Sequence, residues 1–249
     1  MSIEDTTKAG RTEGVLSAMG HDSAQYDQIA DTYADGGPFN ELYERPATLE
    51  LLGDVQGLSI LDAGCGSGVL AERVIAGGAT LAGIDASAAM LERARDRLGP
   101  EVDLRVHDLH DPLTWVPDHS VDVVVASLVM HYLEDWAPTL AEFHRVLRPA
   151  GRFVFSTHHP FIDYTIYERP DYFALEEIED EWNNADGVPY KVRFWRRPLS
   201  AIVDALLKAG FAIERLAEQR PASLAALPPE RRSQLTTEPC FLFVVATPR

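Results

Sequence analysis

Three glycines follow an acidic residue in the stretch 60–68 (ILDAGCGSG). Glycine lets a backbone turn sharply and approach a ligand closely. A dinucleotide-binding loop has the spacing GxGxxG, whereas Gly64, Gly66 and Gly68 form GxGxG, which disfavours NAD or FAD. The carboxylate of Asp62 is poorly placed for a pyrophosphate but well placed for an ammonium or sulfonium cation. The loop therefore predicts a ligand that is partly positive.

Two further acidic residues stand at the ends of apolar runs, Asp85 in GIDAS and Asp108 in VHDLHD. Asp85 can accept both hydroxyls of a ribose. Asp108 can accept a hydrogen bond from an exocyclic amine, and Leu109 can offer backbone groups to an adenine edge. The alternatives are that Asp85 is only a polar residue before a helix and that Asp108 is plain surface. Together with the glycine loop, these residues predict an adenosine across the carboxyl ends of three parallel strands.

Two histidines are candidates for a general base or for a group that positions the acceptor. His131 follows a fourth apolar run and His158 follows a fifth. An imidazole with an ordinary pKa near 6.5 is largely neutral at cytoplasmic pH and can take a proton. The alternatives are that His131 only binds backbone in the turn before Trp136, or that His159 fixes the next turn.

The elements that position these residues follow from the hydrophobic pattern, in which short apolar runs alternate with helical stripes, as in βαβ units. We predict an α/β fold with a doubly wound, mainly parallel sheet. Strands are expected at 58–63, 80–84, 102–106, 121–126, 152–156, 211–216 and 240–247, and helices at 67–77, 87–98, 137–148 and after Pro198.

Two regions fall outside this alternation. Residues 1–53 are expected to form an N-terminal tail and lid helices, and residues 158–198, with nine aromatics, a cap insertion. The core would then occupy 54–157 and its C-terminal part 199–249. The aromatics predict either an apolar or planar substrate beneath the cap or a small core of the insertion itself. The run Glu176–Glu181 is interpreted as a solvated acidic helix face.

Six segments, in order, resemble one family: YDQIADTY at 26–33, ILDAGCGSG at 60–68, GIDAS at 83–87, HDL at 107–109, DVVVASLVMHYL at 122–133 and RVLRPAGRFVFS at 145–156. With them the sequence resembles the class I S-adenosylmethionine-dependent methyltransferases. It is most similar to the small-molecule branch that includes ubiquinone and menaquinone C-methyltransferase-like enzymes.

The resemblance implies a Rossmann-like methyltransferase fold whose seventh strand is antiparallel, and S-adenosyl-L-methionine as cofactor. It places Gly64 and Gly66 near the methionine part, Asp85 at the ribose, and Asp108 with Leu109 at the adenine. It further implies that Tyr33 packs over the cofactor and that Ser127 lies near its methionine end. The remaining expected cofactor contacts are Asp62, Cys65, Ala86 and Met90.

We therefore expect methyl transfer to an O, N or C nucleophile of a small metabolite. The alternatives are a protein- or nucleic-acid-directed methyltransferase and a protein that binds S-adenosylmethionine without methyl transfer. Amino-methylating enzymes of the first kind typically carry Asn or Asp before Pro-Pro and an aromatic after strand four. Residues 127–130 are instead SLVM, which disfavours that alternative.

Composition and charge restrict the classes of binding partner and the cellular compartment that we expect. The chain has 249 residues and a formal net charge of −17, so its average field repels nucleic acid and anionic membranes. No signal peptide or apolar span is evident, and the distant Cys65 and Cys240 suggest a reducing cytoplasm. A metal at His158, His159 and Asp163 is disfavoured because no further ligand accompanies them. We expect a small-molecule partner; a homodimer is compatible with the sequence.

Overall fold

The computed structural model describes residues 26–27, 30, 37–183, 187–221, 232 and 235–249. Tyr33 and most of the expected N-terminal lid lie outside the described residues. The described chain becomes continuous in a helical turn at Gly37–Phe39 and a π-helical turn at Asn40–Glu44, which leads into α1 (Arg45–Leu52). Pro46 stands in the first turn of α1, where its missing N–H costs nothing.

A seven-stranded sheet carries the fold, in the order β3-β2-β1-β4-β5-β9-β8. Its strands are β1 (Ser59–Ala63), β2 (Thr80–Asp85), β3 (Asp103–Val106), β4 (Val121–Ser127), β5 (Leu147–His158), β8 (Phe211–Ala217) and β9 (Phe241–Pro248). β9 runs antiparallel to both of its neighbours, β5 and β8, whereas β1 to β5 pair in parallel. The seven predicted strands and the reversed last strand are therefore confirmed.

Helices cover both faces of this sheet: α2 (Val69–Ala76), α3 (Ala88–Leu98), α4 (Ala137–Val146) and α6 (Leu199–Lys208). Strand β9 shows the division, since Phe243 packs in the layer of α1 and α2 while Val244 packs in the layer of α4 and α6. Ser87 begins α3 as expected, because its Oγ accepts the Met90 backbone N–H at 3.1 Å. The order of the strands reverses at β1 and β4, which is where open α/β sheets bind ligands.

The insertion after β5 consists of the helix α5 (Pro160–Ile166) and a hairpin of β6 (Glu176–Asn183) and β7 (Pro189–Arg196). We call residues 158–198 the cap. The helix predicted over Glu176–Glu181 is wrong, because these residues pair with β7 along their whole length. Ile178 lies among these acidic residues, and its side chain is fully buried against Phe194. Burial of one face of a strand therefore prevails over the helix propensity of the glutamates.

None of the helices in the described part of the chain has the length and apolar content that crossing a bilayer requires.

Candidate active site

One cavity of about 1000 Å³ runs along the carboxyl ends of the parallel strands and continues beneath the cap. It brings together residues that the sequence placed in separate motifs. Those that line it are Asp62, Gly64, Cys65, Gly66, Asp85, Ala86, Met90, Asp108, Leu109, Ser127, His131 and His158. Of the expected site residues, Tyr33 alone lies outside the described part of the chain.

The glycine loop is tied to the neighbouring strand by its backbone. The N–H groups of Gly64 and Cys65 both donate to the carbonyl of Ile84, at 2.8 and 2.9 Å. Gly64 has a φ of +78°, and a Cβ there would lie 2.6 Å from Cγ2 of Val129, in the turn after β4. This glycine is therefore required both by its left-handed conformation and by the close approach of β4.

Asp85 holds the loop from the end of β2. Its carboxylate accepts the backbone N–H of Gly66 and that of Ser87, each at 2.8 Å. Burial raises the pKa of Asp85, and the two N–H donors partly oppose this rise. A carboxylate has about four acceptor sites, so acceptors remain for ligand hydroxyls. Asp85 thus combines its expected ligand role with positioning of the loop.

Replacement of Asp85 by alanine should weaken S-adenosylhomocysteine binding by roughly 1–3 kcal/mol, because ribose hydroxyls and two backbone donors lose a charged acceptor. Calorimetry measures the affinity. Asp103→Ala is the matched control. Asp103 is a partly exposed carboxylate at the amino end of β3, and it contacts Arg105. Equal affinity in both variants would contradict the assignment.

Asp62 is a buried carboxyl in need of a partner. It is 1% exposed, and its Oδ2 has no hydrogen-bond partner among the described residues. Burial raises its pKa to about 7, and the charges of Asp85 and Glu44 add to the rise. A cationic ligand in the cavity would relieve this cost, so the site fits the positively charged methionine portion of the expected cofactor.

The expected adenine end is formed by the loop after β3. Asp108 Oδ1 accepts the backbone N–H of His110 at 2.9 Å and lies 2.7 Å from its Nδ1, which fixes the carboxylate. The carbonyl of Leu109 accepts the hydroxyl of Thr139 at 2.8 Å. The Leu109 side chain is buried against the sheet. The loop is thus held in place from both sides.

Cys65 and Met90 mainly form part of the cavity wall. The Cys65 side chain packs against Leu91 and Leu104, and burial raises the pKa of its thiol, so it is not a nucleophile. Met90 is 3% exposed, and its Cε lies 3.6 Å from the position of a Cβ on Gly66.

An acidic residue that the sequence analysis missed lies beneath the loop. Glu44 is 1% exposed, and its Oε1 accepts the hydroxyls of Thr48, Ser127 and Ser156 at 2.6 to 2.8 Å. The Ser127 hydroxyl, expected near the methionine end, is therefore committed to Glu44 although the residue lines the cavity. The signal for Glu44 was indirect, because Ser127 and Ser156 are polar residues in apolar runs.

The two candidate histidines meet in space. The rings of His131 and His158 stack with centroids 4.0 Å apart and planes inclined by 16°. Neither ring nitrogen of His131 has a partner among the described residues, so the alternative that it binds backbone is wrong. Burial lowers the pKa of His131, and lowers that of His158 to about 4. Both are neutral at physiological pH.

His159 has a structural role, in agreement with the alternative that it fixes the turn after β5. The Nδ1 of His159 accepts the Phe161 N–H at 3.1 Å at the start of α5, and its Nε2 lies 2.8 Å from Glu218. Within the described residues, no group of three or more His, Cys, Asp or Glu could hold a metal ion.

Tyr26 and Asp27 make hydrogen bonds to the rim of this site. The hydroxyls of Tyr26 and Tyr132 are hydrogen-bonded, and Asp27 accepts the hydroxyl of Ser87 at 2.5 Å. Asp27 thus adds a negative charge at the start of α3, which the sequence analysis did not single out.

The sequence profile of a family described as a methyltransferase domain matches residues 61–155. A malonyl-[acyl-carrier protein] O-methyltransferase of Serratia marcescens is 30% identical over 70% of this chain; the chain spans only 60% of that relative's length. An uncharacterized protein of Haemophilus influenzae is 29% identical, and the match covers 83% of this chain and 87% of that protein.

Among solved structures, the S-adenosylmethionine dependent methyltransferase from Mesorhizobium loti superposes with a TM-score of 0.64 at 30% identity. The match covers 81% of this chain and 96% of that one. The family profile contains the glycine loop, Asp85, Asp108 and His131, whereas His158 and the cap lie beyond it.

Proposed function

Because the chain belongs to the S-adenosylmethionine-dependent methyltransferases and uses S-adenosylmethionine as its cofactor, we propose that it methylates an oxygen, nitrogen or carbon nucleophile of a small metabolite. The observation that carries this proposal is the cavity of about 1000 Å³ that continues past the glycine loop beneath the cap. Ligand pockets range from about 300 to 1,000 Å³, so this space suits a cofactor and a second small molecule. The resemblance to the ubiquinone and menaquinone branch supports a small acceptor.

The chain's own residues then act chiefly by alignment. When bound, the cofactor supplies a methyl group on a positively charged sulfur. The glycine loop, Asp62 and Asp85 hold one end of the cavity, and the cap holds the acceptor at the other. Placing the nucleophile in line with the methyl group can supply effective molarities of about 10⁵ M or more.

The decisive experiment is incubation with methyl-labelled S-adenosylmethionine and a metabolite extract, followed by separation by size. Label in small molecules supports the proposal. Label in macromolecules would instead support a protein- or nucleic-acid-directed enzyme, and bound cofactor without transferred label would support a binding protein.

We further propose that His158 serves as the general base, with His131 positioning it. His158 stands at the end of β5 with a neutral ring, and the carboxyl of Asp163 lies 3.6 Å from its Nδ1. Because burial raises the pKa of Asp163 to about 8, above that of the His158 ring, a proton taken by the ring passes on to the Asp163 carboxylate. Because His131 stacks on His158, it limits the ring's rotation.

His158→Ala should therefore lower kcat by about 10²-fold or more while S-adenosylhomocysteine affinity stays unchanged. His131→Ala should have a smaller effect of the same kind. His144→Ala is the matched control, since His144 packs against Phe211 and is not among the residues that line the cavity. Turnover near the wild-type value in both site variants would leave alignment as the whole mechanism.

A further inference from the structure

The far end of the cavity, beneath the cap, is walled by aromatic rings around His158. The ring centroid of Trp182 lies 6.0 Å from that of His158, and Phe194 meets His158 edge-on at 4.7 Å. Tyr132 and Tyr167 line the same space. Aromatic faces attract cations as well as planar groups. The rings alone therefore allow two classes of acceptor, neutral planar and cationic.

The acidic residues among these rings separate the two classes. Oδ2 of Asp180 accepts the hydroxyl of Tyr167 at 2.5 Å and the indole N–H of Trp182 at 2.9 Å. Two aromatic side chains thus hold this carboxylate in place as part of the cavity wall. A fixed negative charge within an aromatic wall is the arrangement that stabilises a bound cation.

Burial raises the pKa of a second carboxyl in the wall, that of Asp163, to about 8, and the charge of Arg196 partly opposes the rise. Asp163 is 6% exposed and lines the cavity, and its side chain accepts no hydrogen bond from the described residues. The nearest polar atom in an ion pair with it is Nδ1 of His158, at 3.6 Å, beyond hydrogen-bonding distance. A buried carboxyl without a donor costs free energy, which an N–H donor of a ligand would recover.

Among the cap residues that line the cavity, acidic side chains outnumber basic ones. The charged cap residues that line the cavity are Asp163, Glu177, Asp180, Glu181 and Arg193. The one basic residue among them is itself 3.1 Å from Glu179. The two stacked histidines are neutral, since burial lowers the pKa of each. A carboxylate acceptor would be repelled here, and a neutral one would leave the acids without a counter-charge.

We propose that the methyl acceptor is an amine, bound as its ammonium ion in a pocket formed by Tyr132, His158, Asp163, Tyr167, Asp180 and Trp182, and methylated on nitrogen. This inference rests on the proposed function and narrows its acceptor class. The Coulomb attraction of Asp180 selects the cation, the Asp163 carboxyl accepts one of its N–H groups, and the rings hold its apolar body.

The chemistry balances with the groups in the pocket. The ammonium first gives up one proton, which His158 passes to the Asp163 carboxylate 3.6 Å away, and this frees the nitrogen lone pair. That lone pair forms the new C–N bond while the C–S bond of the sulfonium breaks and its electron pair stays on sulfur. The products are a methylated ammonium and the neutral thioether S-adenosylhomocysteine. Because burial raises the pKa of Asp163 to about 8, well above the value of about 4 for His158, the Asp163 carboxyl holds this proton until it leaves to solvent.

Three probes that differ only in their polar end test this class: 2-phenylethylamine, 2-phenylethanol and 3-phenylpropionate. Each is titrated by calorimetry into protein saturated with S-adenosylhomocysteine. We expect the amine to bind about tenfold or more tightly than either of the others, as a charge-assisted contact and a cation–π contact allow. Asp180→Asn and Asp163→Asn should each remove most of this preference and leave 2-phenylethanol binding unchanged.

Asp103→Asn is the control, because it removes the same charge from a partly exposed site at the far end of β3. A preference for the alcohol or the carboxylate, failure of all three probes to bind, or an unchanged preference in both site variants would overturn the proposal. Failure of S-adenosylhomocysteine to bind would instead contradict the cofactor assignment. In the labelled extract, methylated products retained on a cation exchanger agree with the amine class, and neutral or anionic products reject that class alone.

Discussion

Gly64→Ala is expected to lower affinity for S-adenosylhomocysteine by about 100-fold and the free energy of unfolding by about 2–5 kcal/mol. Gly64 has a φ of +78°, where a Cβ is strained. The added Cβ would also lie 2.6 and 2.7 Å from Cγ2 and Cβ of Val129. Because Val129 leads directly into the turn Met130–Tyr132, relief of this overlap displaces the turn that carries His131.

Gly57→Ala is a matched control for this prediction. Gly57 has a φ of +74°, close to that of Gly64, but a Cβ there would meet nothing within 4 Å. It should lose only the conformational cost of about 1–2 kcal/mol and bind the cofactor normally. Urea unfolding gives the stabilities, and calorimetry gives the affinities. Similar losses in the two variants would show that conformation, and not the approach of β4, makes Gly64 necessary.

The central sheet could be predicted from sequence because its strands are buried on both faces. A parallel strand covered by helices on both sides is a continuous run of β-branched and apolar residues, as in Val121–Ser127. Such runs are bounded by glycines and acids that the turns require. Since the carboxyl ends of parallel strands share one edge, the cavity-lining positions of Asp62, Asp85 and Asp108 followed from the order of the runs.

The cap hairpin could not be predicted in the same way, because only one of its faces is buried. In Glu176–Asn183 a single fully buried residue, Ile178, stands among acidic residues whose composition favours a helix. What fixes the strand is its pairing with Pro189–Arg196, a contact with no local signal in residues 176–183. The aromatic residues of the cap agree with both predicted alternatives, a small core of the insertion and a wall of the substrate cavity. Phe194 lies in the small core, and Trp182 lines the cavity.

The partners of the polar groups behind the site could not be identified from sequence. Glu44 meets Ser156 across 112 positions, and Tyr26 meets Tyr132 across 106. The stacking of His131 on His158 depends on adjacent strands ending at the same level. Such contacts arise from the assembled fold, and sequence spacing carries no record of them.

Asp62→Asn is expected to remove a pH dependence of stability from the cofactor-free protein. Burial raises the pKa of Asp62 to about 7 in the folded state, above its ordinary value near 3.8. The contribution of this carboxyl to stability is fully present below about pH 4, where both states hold the proton, and is lost as the pH rises through about 7. From pH 5 to pH 8, the wild-type protein should therefore lose about 2 kcal/mol relative to Asp62→Asn.

Bound cofactor should reverse this balance, since a cation next to Asp62 favours the carboxylate. We expect Asp62→Asn to weaken S-adenosylmethionine binding by about 10- to 100-fold at pH 8. Comparison with S-adenosylhomocysteine, which keeps the ammonium but lacks the sulfonium, identifies the partner. An equal loss for both ligands assigns Asp62 to the ammonium, and a larger loss for S-adenosylmethionine assigns it to the sulfonium. Unchanged affinity for both, with Asp103→Asn as the control, would contradict a cation-binding role for this carboxyl.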